Sequence, residues 1–121
     1  MIKFALVFFL LFGCQVLAKD ENKNTSTTER TLLSKERVGL RAHKKGDYEK
    51  AYKNLYETAT WGLKDSQYFL GLMYLKGQYV KQDTIIGMGL LAVANEAEIK
   101  ERRDLYKTIY NSLSASEQSR V

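Results

Sequence analysis

Three glycines, Gly46, Gly62 and Gly77, each stop a run of apolar residues at helical spacing, and Asp47 and Asp83 stand where further runs begin. These are the stop and start marks of α-helices. Glycine enters the left-handed conformation without a Cβ clash, and an aspartate carboxylate accepts from the free amides of a first turn. Such punctuation forces short helices joined by tight turns. With no proline and 45% hydrophobic residues in a chain of 121, the expected product is one small all-α domain.

The first run starts at Glu29, carries Leu32, Leu33, Val38, Leu40 and Ala42, and stops at Gly46. The second, capped by Asp47, places Ala51, Leu55 and Ala59 on one stripe with Tyr48 and Tyr52 beside it. The third, Asp65 to Lys76, is apolar nearly all round, which predicts burial between neighbours. A fourth follows Asp83 and continues to about Glu98. The fifth turns Ile99, Leu105, Ile109 and Leu113 inward and Lys100, Arg102, Arg103 and Lys107 outward. Ser114 with Glu117 then forms a capping-box pattern that starts a short last helix.

These runs repeat. Asp47 lies over Asp83 at an offset of 36, aligning Leu55 with Leu91, while Gly39 lies over Gly71 at an offset of 32. One helix-turn-helix unit is used twice, and such units bury their apolar faces only by stacking. The second unit, through Ser66, Leu70, Gly71, Tyr74, Gly77, Val80, Asp83 and Gly87, resembles the Sel-one-like repeat, a relative of the tetratricopeptide repeat. Gly39, Gly46, Asp47 and Ala51 resemble its opening half-repeat in small exported bacterial members. The chain departs from the pattern at Tyr79 (usually glycine), Leu90 (often tryptophan) and Glu98 (a closing glycine). The resemblance implies a short right-handed α-solenoid over residues 29–121. Its repeats would span about 33–62 and 63–98, followed by a capping helix at 99–113. Trp61 is expected over the junction of the repeats.

Ahead of this domain the composition changes. Lys3, the apolar stretch from Phe4 to Gly13 and the small-residue site ending at Ala18 read as an export signal over residues 1–18. The segment Leu11-Phe12-Gly13-Cys14 also resembles a lipobox, so the expected location is either the periplasm or, with Cys14 acylated, the outer membrane. Residues 19–28 are polar, without apolar periodicity, and are expected to form a linker. Cleavage after Ala18 removes the one cysteine, so no disulfide is expected in the oxidising compartment.

The motifs offer little chemistry. Gly71 and Gly77 near Lys76 lack the Lys-Ser/Thr of a phosphate loop and any preceding strand, so helix packing and helix termination account for them. His43 is the single histidine and, flanked by lysines, is expected as a surface or cap residue. Glu96, Glu98 and Glu101 read as a solvated face. No metal, cofactor or catalytic residue is expected.

Binding surfaces are better candidates. Phe69, Met73 and Lys76 share one spacing on the third helix, and the offset of 32 carries them to Arg37, Arg41 and Lys44 on the first. Together they would line a concave groove for an acidic or amphipathic segment of another protein. The alternative is that Phe69 and Met73 are buried against neighbouring helices. The formal charge of +5 favours an acidic partner, and export disfavours nucleic acid. The functional expectation is an exported protein-binding module, an adaptor or regulator of an envelope assembly. An immunity protein against a secreted toxin, a cell-wall hydrolase and a self-associating subunit are the alternatives.

Overall fold

Gly46 and Gly77 stop helices where the spacing places them. The computed structural model describes residues 27–121; the signal segment, Cys14 and linker residues 19–26 lie outside the described residues. The chain divides into two units, Met1–Leu33 and Ser34–Val121. The described part of the first, residues 27–33, is the opening of helix α1, and the second holds the rest of the fold. Helix α1 occupies 27–45, so Thr27 and Thr28, assigned to the linker from sequence, are helical. After it come α2 (Tyr48–Thr60), α3 (Lys64–Lys76), α4 (Thr84–Ala94), a 3-10 turn (Asn95–Ala97), α5 (Lys100–Ser112) and α6 (Ala115–Gln118). The domain is all-α, its helices packed pairwise, with no strand among the described residues.

Local chemistry sets most of the boundaries. The Asp47 carboxylate accepts from Lys50 N–H at 3.2 Å and that of Asp83 from Ile86 N–H at 2.9 Å. Gly77 ends α3 in the left-handed conformation at φ 66°. Ser114 and Glu117 form the expected capping box. The fourth helix is shorter than expected: it stops at Ala94, tightens into the 3-10 turn, and reverses at Glu98, which takes φ 56° without being glycine. Helix α3 has no side-chain cap of its own at Leu63. Glu36 of α1 supplies one, accepting from Ser66 N–H at 3.0 Å and from the Ser66 hydroxyl at 2.8 Å.

The helices close on small residues. Gly71 and Gly87 stand back to back where α3 crosses α4: a Cβ on Gly87 would lie 2.7 Å from Leu75 Cγ and 3.0 Å from the Gly71 carbonyl oxygen. On the other side of α3, Ala42, Ala51, Leu55 and Met73 form the core, flanked by Leu40, Tyr48, Tyr52 and Phe69. Each fully buried leucine or methionine there contributes about 1.5–3 kcal/mol. Thr58 and Ser66, also fully buried, bond to each other through their hydroxyls at 2.6 Å, so neither is left unsatisfied.

Candidate functional site

The predicted groove residues part company. Phe69 lies edge-on to His43, ring centres 5.2 Å apart, and is half-buried against the core. Met73 is 0% exposed inside that core and is not available to a partner. The correction has a simple cause: α1 packs on the very face of α3 that the spacing left open. Lys76, on the same stripe of α3 at its last turn, is exposed and borders a cleft toward α5. Arg37, Arg41 and Lys44 are exposed on the side of α1 opposite the buried Gly39 and Ala42. Arg41 borders a cleft of about 300 Å³ with Val38, Lys45, Asp47 and Lys50. None of Arg37, Arg41, Lys44, Lys45 or Lys50 has an ion-pair partner among the described residues.

Two further expectations change. Trp61, expected to cover a junction between repeats, is the C-cap of α2 and is 64% exposed. The solvent stripe of α5 loses Arg102, whose side chain is only 13% exposed, paired with Asp65 and set 4.4 Å from the centre of the Tyr68 ring. Periodicity alone missed this because Asp65 and Tyr68 belong to α3, which no local pattern links to α5.

His43 is half-buried rather than free at the surface: Nε2 and Gln78 Oε1 lie 3.0 Å apart, and the ring sits edge-on to Tyr48 and Phe69. It links the end of α1 to the α3–α4 loop. No group of three or more His, Cys, Asp or Glu side chains able to hold a metal occurs among the described residues. Glu96 is tied to Lys64 and remains exposed, as do Glu98 and Glu101.

An aromatic groove that the spacing did not single out lies between α2 and α4. Tyr56, Ala59 and Thr60 form one wall, Ile86 and Leu90 the other, and Leu70 and Tyr74 the floor, around a hollow of about 240 Å³. Tyr56 is 51% and Ile86 46% exposed. At the rim Tyr52 contacts Tyr56, Tyr74 and Tyr79, with the Tyr52 and Tyr74 hydroxyls 3.3 Å apart. That hydrogen bond, helped by burial, pushes the Tyr52 hydroxyl up to about 12. Tyr79 takes φ 65°, the left-handed conformation that the repeat pattern would give to glycine, and in doing so joins the cluster. The signal in the sequence was the recurrence of tyrosine at 52, 56, 74 and 79, meaningful only once α2 lies beside α3. Among the described residues, no charged side chain lines the hollow.

Comparison of the chain with known families, curated proteins and solved structures yields no match.

Proposed function

We propose that the chain is a protein-binding module of the Sel-one-like kind, two stacked repeats in a short right-handed solenoid with α5 as the cap. It works by docking, without turnover or cofactor, as an exported adaptor or regulator in the envelope. It is periplasmic, or held at the outer membrane if Cys14 is acylated. The observation that carries the docking reading is the aromatic groove between α2 and α4. Exposed tyrosine at the edge of a hollow is the side-chain type enriched at interface hot spots, and here Tyr56 stands exposed beside one with Tyr52, Tyr74 and Tyr79 around it. The basic side of α1 favours a second docking reading, in which an acidic segment meets Arg37, Arg41 and Lys44 over the Val38 cleft.

One experiment separates them. The chain is immobilised and exposed to an envelope extract, alongside a Tyr56→Ala/Ile86→Asp variant and an Arg37→Glu/Arg41→Glu/Lys44→Glu variant. The expected result is one protein held by the parent and by the charge-reversed chain but weakened about 30-fold or more with the groove variant. The opposite pattern moves the site to α1. Capture of nothing, with concentration-dependent dimerisation, replaces the adaptor by a self-associating subunit.

A further inference from the structure

Helices α3 and α5 face each other with apolar stripes that do not interlock. Leu72 and Leu75 on α3 look across a cleft of about 540 Å³ at Leu105, Ile109 and Leu113 on α5. No residue of α5 is fully buried. Arg102 is the spacer. Its guanidinium stands on the Tyr68 ring and pairs with Asp65, while Nη1 is buried without a partner among the described residues. A leucine at this position would let the two stripes interdigitate at ordinary packing density. The arginine instead holds α5 off α3 at the expense of a partly unsatisfied charge.

The cleft is polar at one end. Lys76, Gln82, Thr84 and Ser112 border it, and no carboxylate among the described residues does. Lys76 has no ion-pair partner among the described residues, and Gln82 spends its amide N–H on the Leu75 carbonyl, leaving Oε1 free. Apolar walls, a few polar groups at the mouth and this volume are the features of a small-molecule site. We propose that the cleft binds a small amphipathic anion, its alkyl chain lying between α3 and α5 and its anionic head at Lys76. Lys76 at the mouth selects the sign of the head. The site is separate from both docking surfaces above, so its failure leaves them standing.

Calorimetric titration of the full chain with decanoate, below its micelle-forming concentration, tests this, with decyltrimethylammonium as the probe of opposite charge. The expected result is saturable one-to-one binding of decanoate, about tenfold or more tighter than the cation. Lys76→Gln is expected to erase that preference, and Ile109→Trp, which fills the cleft, to abolish binding while thermal unfolding stays cooperative. Should Ile109→Trp fail to fold, Arg102→Leu, which lets α5 close on α3, is expected to weaken decanoate at least tenfold. Absence of saturation, equal binding of both probes, or parent-like binding by the folded cleft variants overturns the proposal. So does loss of decanoate binding in step with dimer formation, which would make a second copy of the chain the occupant.

Discussion

Tyr52 joins the aromatic cluster through three ring contacts and one hydroxyl bond. Its pKa is raised because Tyr74 hydrogen-bonds to it and because it is partly buried, both of which disfavour the phenolate. The sign follows from linkage. A group whose folded pKa lies above its unfolded value, here about 12 against 10.0, contributes stability that is fully present below pH 10 and is lost as pH rises toward 12. Tyrosine absorbance titration is therefore expected to show one hydroxyl ionising about two pH units late, and Tyr74→Phe to return it toward the ordinary value. A Tyr74→Phe titration curve identical to the parent's would dissolve the pairing. Single residues were also where the sequence was most legible when the interaction is local. Asp47, Asp83 and the Ser114–Glu117 box act within one turn, and all three cap as their spacing predicts.

At the scale of helices, the α3–α4 crossing rests on contact between Gly71 and Gly87. Gly87→Ala forces a methyl to within 2.7 Å of Leu75 Cγ and 3.0 Å of backbone, and is expected to destabilise by about 1–3 kcal/mol. Gly89, two residues on in the same helix, has nothing within 4 Å of an added Cβ. Gly89→Ala is expected to stabilise by about 0.5–1 kcal/mol through helix propensity alone. Urea unfolding of the two variants reads the difference directly; midpoints shifted in the same direction would mean that packing at Gly87 does not set the crossing. The end of α4 is an element-scale outcome that spacing left open. The apolar pattern runs on to about Glu98, but the chain tightens at Asn95 and reverses at Glu98. The pattern records which residues are apolar and not where the backbone must turn to bring α5 over α3.

Across the whole domain, the contacts that differ most from expectation join residues far apart in sequence. Glu36 caps α3 from α1, thirty residues away in the chain. Glu36→Ala leaves Ser66 N–H and hydroxyl without their acceptor and is expected to cost about 1–2 kcal/mol in chemical unfolding. Glu36→Gln is expected to lose much less, because its amide oxygen still accepts. Equal losses for the two variants would shift the explanation from the hydrogen bonds to the charge. The same long-range logic explains the groove prediction. Arg37, Arg41 and Lys44 are exposed as their spacing implies, yet they do not share a surface with Met73, because α1 covers Met73 with its opposite side.

By itself the sequence determined the helical class, most of the helix starts and stops, and that Gly71 serves helix packing. These depend on φ preferences, first-turn hydrogen bonds and side-chain size within a few residues. Tertiary structure alone decided which side of α3 is buried, that four tyrosines converge beside a hollow, and that Arg102 turns inward onto Asp65 and Tyr68. Each of those depends on how one helix is rotated against another. An α3 apolar on every side carries no periodic signal to choose among rotations, so the choice falls to packing over the full set of helices.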